Sequence, residues 1–161
     1  MRKAAVEILP EIAHVCPPHV RATNLVELFK KFIIDPSKWV KLATLQCLGP
    51  FIATLKGLEI NRLLIEYYLS MGDPKRSSAD NDILYHCAFN FPAVIWTLGR
   101  TNWPELSRLY KQLVRDSQWK VRRTLSYSLH EVAKILGPEL AEKELWPVLQ
   151  QFLGDIRKRA L

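Results

Sequence analysis

The sequence is poor in features that define several classes of protein. Its 161 residues include only three cysteines and six glycines, and no Cys-x-x-Cys spacing typical of zinc and redox sites occurs. The longest nearly apolar run, Phe89–Leu98, contains Asn90 and Pro92 and is far shorter than the ~20 residues that cross a bilayer. Alternating, strand-like segments are almost absent. The sequence therefore excludes a membrane span and favours helices, with reduced, buried thiols as in intracellular proteins.

The composition that remains is that of a folded protein with a basic surface. Apolar residues make up 48% and charged residues 24% of the chain, and the formal net charge is +7, so wholesale disorder is excluded. Glu7 and Glu11 interrupt what would be the core of a secretory signal. The sequence therefore predicts a cytoplasmic protein, with the nucleus as a second compartment.

A repeat of about 40 residues runs through the chain. The segment DPSKWVK at residues 35–41 returns as DSQWKVR at residues 116–122, with the aspartate, the valine and the final basic residue 81 positions apart. Two ladders of residues keep half of that spacing, which chance rarely produces for two residue types together. They are Asp35, Asp73, Asp116 and Asp155, and Pro10, Pro50 and Pro92.

Each period contains two amphipathic helical patterns. Leu25, Leu28, Phe29, Phe32 and Ile33 follow the helical spacing before Asp35, and a second apolar stripe follows the turn. The middle period predicts helices at 58–69 and 83–98 on either side of a polar insertion at 72–82. Gly49-Pro50, Gly99 and Gly137-Pro138 predict kinks or helix ends. Helix pairs at this period predict an all-α, HEAT-type α-solenoid.

The predicted array is one domain of about four repeats with incomplete ends, as expected of an internal portion of a longer solenoid. Its predicted units are a half repeat at 1–18, repeats at 19–56, 57–100 and 101–137, and an incomplete repeat at 138–161. Within a repeat, the turn aspartate is expected to accept hydrogen bonds from the first N–H groups of the next helix. The basic residue beyond it is expected to reach the aspartate of its own or a neighbouring repeat.

Several motifs in this frame resemble one family. They are Asn90-Phe91-Pro92-Ala93-Val94, Leu98-Gly99-Arg100, Trp103-Pro104-Glu105-Leu106, Trp119-Lys120-Val121-Arg122-Arg123 and, nearer the N terminus, Leu48-Gly49-Pro50-Phe51-Ile52. The chain resembles regulatory subunit 1 of serine/threonine-protein phosphatase 4 over essentially its whole length, as an internal portion of a longer protein or a shorter relative. The resemblance implies a non-catalytic scaffold that binds the phosphatase catalytic subunit and substrate proteins.

Basic residues and tryptophans at the turns are the candidate partner-binding residues. Stacked repeats place equivalent turns along one edge, so these side chains should form a positive ridge that steers acidic partners. In related phosphatase scaffolds such turns carry the catalytic subunit. The candidate residues are Lys38, Trp39, Lys41, Lys75, Arg76, Trp119, Lys120, Arg122 and Arg123. The alternative is a solvated ridge whose tryptophans pack between repeats.

Two other functions stay open at this point. The pI of about 9.5 also fits a module that binds nucleic acid or another acidic partner, although the aromatic spacing favours helix packing over base stacking. A truncated, non-functional relative is the other alternative.

No motif for catalysis, for a cofactor or for a metal ion is present. The sequence therefore predicts a non-enzymatic protein with no cofactor, no metal and no small-molecule substrate. Ser77 and Ser78 follow two basic residues in the insertion and are candidate phosphorylation sites.

Overall fold

The described residues fold into eight helices that form two layers. The computed structural model describes residues 1–73 and 82–159, with side chains through Gly154, and these ranges contain no strand. The helices are α1 (Arg2–Val15), α2 (Pro18–Val20, the π-helical turn Arg21–Leu25 and Val26–Ile33), α3 (Lys38–Ala53), α4 (Arg62–Leu69, then the 3-10 turn Ser70–Gly72), α5 (Ile83–Leu98), α6 (Trp103–Val114, after the 3-10 turn Arg100–Asn102), α7 (Trp119–Leu136) and α8 (Pro138–Leu140, the π-helical turn Ala141–Leu145 and Trp146–Arg159). The predicted all-α helical-repeat fold is confirmed.

One layer contains the odd-numbered helices and the other the even-numbered ones. The helices α1, α3, α5 and α7 pack side by side in sequence order, and each even-numbered helix packs on its neighbours along the chain. The core between the layers is continuous from Val6 to Phe152. In its first half, Phe29 of α2 stacks on Phe51 of α3 with ring centroids 4.6 Å apart, and both rings are fully buried. This layered stacking is the architecture of an α-solenoid.

The turns before α3 and α7 are the same turn. The Asp35 carboxylate accepts the Ser37 N–H at 2.8 Å, and the Asp116 carboxylate accepts the Gln118 N–H at 2.8 Å. In both turns the acceptor aspartate lies two residues before the N–H that it binds, so the bond joins the aspartate to the residue that precedes the helix. We expected the aspartate to accept from the first N–H groups within the helix. The N–H groups that it binds belong instead to Ser37 and Gln118, the residues just before each helix.

The π-helical turns of α2 and α8 are a repeat that the sequence analysis missed. Both helices begin at a proline, Pro18 and Pro138, and continue into a five-residue π-helical turn that ends at a buried leucine. Proline suits the first helical position because its missing N–H would have had no partner there. The two prolines lie 120 residues apart, which is three periods of about 40, so these helices are independent support for the repeat.

Two of the three predicted glycine positions lie at helix ends. Gly99 and Gly137 follow α5 and α7 with φ of 80° and 82°, a backbone region that favours glycine at helix ends. Gly49-Pro50, in contrast, lies inside α3, which continues to Ala53. A Cβ at Gly49 would overlap the Asn90 side chain of α5, so this glycine allows α3 and α5 to approach closely. The predicted helix at 58–69 begins later, at Arg62, where Asn61 accepts the Leu63 N–H as its cap.

Ion pairs join elements that are distant in sequence. Arg2 reaches Asp35 at 2.9 Å, as expected for a basic residue that contacts the aspartate of the next repeat. In the other layer Arg62 binds Glu105, and Lys111 binds Glu144. The Ser37 N–H, followed by Arg2, lowers the pKa of Asp35 below its usual value, although burial opposes this.

Candidate functional site

The start of α3 presents a tryptophan and two lysines to solvent. Trp39 is 63% exposed, and the Lys38 ammonium lies 5.4 Å from the centre of its ring. Lys41 is exposed one turn further along. An ammonium group over an indole face is attracted by the ring quadrupole, so Lys38 and Trp39 form one amphipathic patch.

The start of α7 also presents a tryptophan, one repeat position earlier than that of α3, and this tryptophan has more neighbours. The Arg123 guanidinium lies 5.7 Å from the Trp119 ring centre and 5.4 Å from that of Tyr127. It also donates to the Tyr127 hydroxyl at 3.0 and 3.2 Å. Trp119 is 44% exposed, and Lys120 is exposed beside it. The two ring contacts and the hydrogen bonds to the Tyr127 hydroxyl hold the Arg123 guanidinium in place without a partner.

Arg122 has a different environment from its neighbours. Its guanidinium donates to the carbonyl oxygens of Asp116 at 2.6 Å and of Ser117 at 3.0 Å, so it holds the turn that precedes α7. These carbonyls follow the end of α6, where a cation is favourable. The arrangement gives Arg122 a structural task within the repeat.

Apart from Arg122, the described residues of the predicted ridge form two clusters, which we call the α3 cluster (Lys38, Trp39, Lys41) and the α7 cluster (Trp119, Lys120, Arg123). Helix α5 lies between the helices that carry them, and Asp82 precedes that helix. Among the described residues, the two clusters thus lie on either side of α5. Lys75, Arg76, Ser77 and Ser78 lie outside the described residues.

A groove between α5 and α7 adjoins the α7 cluster. Its volume is about 770 Å³, and Trp119, Lys120 and Arg123 are among its lining residues. The α5 wall contributes Tyr85 and Phe89, which the sequence analysis missed. A signal for them was present, since Tyr85, Phe89 and Trp96 follow helical spacing on a face that the buried stripe of α5 leaves uncovered.

The cysteines are placed as small core residues. Cys47 of α3 and Cys87 of α5 occupy equivalent repeat positions, and burial raises their pKa values to about 11 and about 12. Both are therefore thiols at neutral pH and poor nucleophiles or metal ligands. Across residues 1–73 and 82–154, no three His, Cys, Asp or Glu side chains lie close enough together to hold a metal ion. In the same part of the chain no helix has the length and apolar character to cross a membrane.

The fold and these surfaces define a helical-repeat protein, a class whose stacked units present extended binding faces. Residues 87–160 match the family model described as the protein phosphatase 4 regulatory subunit 1 middle domain. The chain is 47% identical over 98 residues to serine/threonine-protein phosphatase 4 regulatory subunit 1 of Homo sapiens, with the same figures for Mus musculus and Rattus norvegicus. The resemblance to this regulatory subunit is thus confirmed over that part of the chain, and not over essentially its whole length as we expected.

The extent of the similarity is limited on both sides. The alignment covers 60% of this chain and 10% of each relative, so the chain matches about a tenth of the length of these curated relatives. The family model begins at Cys87 and therefore includes the α7 cluster but not the α3 cluster. No solved structure matches the chain significantly.

Proposed function

We propose that this chain is a non-catalytic module of a serine/threonine protein phosphatase of the phosphatase 4 type, and that it binds the catalytic subunit and substrate proteins. The observation that carries the proposal is the 47% identity to proteins named as a regulatory subunit of that phosphatase. The high pKa values of Cys47 and Cys87 and the lack of a nucleophile motif support a binding role over a catalytic one.

The α3 and α7 clusters are the proposed contact residues. Tryptophan and arginine are the side chains that most often dominate binding energy at protein interfaces, and Trp39, Trp119 and Arg123 are all accessible. Lysines at the rim of such patches raise the association rate with an acidic partner and orient it. The two clusters flank α5, so one partner surface could contact both.

Capture of the purified phosphatase 4 catalytic subunit by the immobilised chain tests this function. We expect binding to the wild type and weaker binding to two charge-reversed variants, Lys38→Glu/Lys41→Glu and Lys120→Glu/Arg123→Glu. A matched control, Lys31→Glu/Lys143→Glu, changes the net charge equally on exposed residues of α2 and α8. Capture of all four proteins alike would contradict the cluster assignment. Failure of the folded wild type to bind would contradict the proposed function and favour a non-functional relative.

The same assay in a salt series separates a protein partner from a nucleic acid. An affinity based on 6–10 phosphate contacts falls by roughly 10³–10⁵ between about 50 and 200 mM salt. Binding to the catalytic subunit through tryptophan surfaces should fall far less. Tight, salt-sensitive binding to an oligonucleotide without capture of the catalytic subunit would favour the alternative function.

A further inference from the structure

The groove between α5 and α7 exposes aromatic rings that the fold does not need. Phe89 is 63% exposed and Tyr127 is 65% exposed, whereas Phe91 on α5 and Leu125 on α7 are fully buried in the core. Exposed aromatic residues that face each other across a groove are typical of sites that bind another chain. These side chains therefore need an explanation other than folding.

We propose that this groove binds an extended, acidic, proline-containing segment of a partner protein. Aromatic-lined grooves recognise proline-rich segments because the polyproline II helix is already ordered and its rings pack flat on aromatic faces. Tyr85, Phe89, Trp119 and Tyr127 supply such faces along the two walls of the groove.

The shape of the groove fits an extended peptide. Pro92 and Glu131 line both the main groove and a second depression of about 680 Å³, which continues along α5 and α7 to Trp96 and Arg100. Trp96 is 54% exposed, and Lys56 lies over its ring. The aromatic surface thus follows two helices from Trp119 to Trp96, which is a path for a chain segment.

The charges of the groove favour an acidic ligand. Arg123 is held in place by Trp119 and Tyr127, so a carboxylate can bind it with little loss of side-chain entropy. Lys120 and Arg123 balance Asp82 and Glu131 in the main groove, and the excess of cations comes from the second depression. The cationic residues of the two depressions are Lys120, Arg123, Arg100 and Lys134, and the anionic ones are Asp82 and Glu131.

This inference rests on the proposed function for the origin of the peptide, which would be a substrate or assembly partner of the phosphatase. The two sites share Trp119, Lys120 and Arg123, but each also has residues of its own. Phe89 and Tyr127 belong to the groove alone, whereas Lys38, Trp39 and Lys41 belong to the α3 cluster alone. Failure of one proposal can therefore be recognised without failure of the other.

Fluorescence anisotropy with a labelled peptide of repeated Glu-Pro-Pro units tests the proposal on the whole chain. We expect saturable binding, and weaker binding by about tenfold for Phe89→Ser and for Tyr127→Ser, the size expected from loss of one aromatic contact. Both side chains are mostly exposed, so both variants should retain the wild-type circular dichroism spectrum. Trp146→Ser is the matched control: this tryptophan of α8 is similarly exposed, lies outside both clusters and the groove, and its variant should bind the peptide like the wild type.

Two further peptides separate the parts of the proposal. Repeated Lys-Pro-Pro units reverse the charge, and repeated Glu-Gly-Ser units remove the polyproline conformation; both should bind at least about tenfold more weakly. Equal binding of the Glu-Gly-Ser peptide would overturn the proposal in favour of simple charge attraction. Absence of any Glu-Pro-Pro binding by the folded chain would overturn it too, and if the catalytic subunit is still captured, the proposed function survives.

Discussion

The starts of α3 and α7 share the hydrogen bond of their turns, but they present different surfaces to solvent. In both, an aspartate carboxylate accepts the N–H of the residue two positions later at 2.8 Å. An exposed tryptophan then stands at the second position of α3 and at the first position of α7. Yet Trp39 has the Lys38 ammonium over its ring, whereas Trp119 has the Arg123 guanidinium over its ring and borders a groove.

The difference comes from residues outside the repeated motif. Tyr127 has no aromatic counterpart at the matching position of α3, which is Gln46, and the groove needs Phe89 from α5. The repeat thus fixes the turn and the core stripe, and it leaves the solvent face free to differ. We therefore expect the binding properties of such an array to depend on the exposed residues that differ between its repeats.

The largest test of this comparison uses equivalent core positions. Phe51 of α3 corresponds to Val132 of α7, and both are fully buried. Phe51→Ala should lower the free energy of unfolding by about 3–5 kcal/mol because it leaves a large cavity against Phe29, and Val132→Ala by about 2 kcal/mol. Urea unfolding measures both values. Equal losses of unfolding free energy in the two variants would contradict the expected difference in core packing between the two halves.

The turn aspartates give a smaller effect. Asp116→Ala should lower the free energy of unfolding by about 1 kcal/mol through the lost hydrogen bond to Gln118. Asp35→Ala should lower it further, because it also removes the ion pair with Arg2. The variant Arg2→Ala supplies the control: in that background the two aspartate substitutions should become alike. A larger loss for Asp116 would contradict the assigned contacts.

The basic residues beyond the turns should differ as well. Arg122→Ala should cost about 1 kcal/mol, since the carbonyls of Asp116 and Ser117 lose a charged donor. Lys41→Ala, at the matching position of the first turn, should stay within about 0.5 kcal/mol of the wild type, as exposed substitutions do. Thermal unfolding of the two variants side by side measures this, and equal melting temperatures would speak against a structural task for Arg122.

The smallest effect appears in acid. Because the folded state lowers the pKa of Asp35 below 3.8, its ionised form adds stability above that pH, and this contribution disappears as the pH falls through the folded-state pKa. The difference in unfolding free energy between the wild type and Asp35→Asn should therefore be constant near neutrality and shrink below about pH 4. A difference that stays unchanged down to pH 2 would contradict the sign of the shift.

Much of the fold could be predicted because it depends on local and periodic signals. The helix at 83–98 has its predicted bounds, and Gly99 and Gly137 end helices as expected. Gly49-Pro50 could not be placed from local rules, since the glycine serves a contact with Asn90 that depends on how α3 and α5 pack. The π-helical turns of α2 and α8 are equally invisible to a pattern based on 3.6 residues per turn.

The candidate site was predictable only in part. Exposure of Trp39 and Trp119 follows from their positions at turns, but the stack around Arg123 requires Tyr127 to lie one helical turn beyond it. The groove combines residues of α5 and α7 that lie about 40 positions apart, so only the packing of the two helices reveals it. The position of the two described clusters on either side of α5 has the same origin, since it depends on how the helices pack.

The most direct test of the account is a titration calorimetry comparison of two matched variants, Trp39→Ala and Trp119→Ala, with the purified phosphatase 4 catalytic subunit. We expect the wild type to bind, and each variant to bind at least about tenfold more weakly because it loses a tryptophan contact at the interface. Wild-type affinity in both variants would contradict the claim that the tryptophan clusters at the starts of α3 and α7 carry the binding.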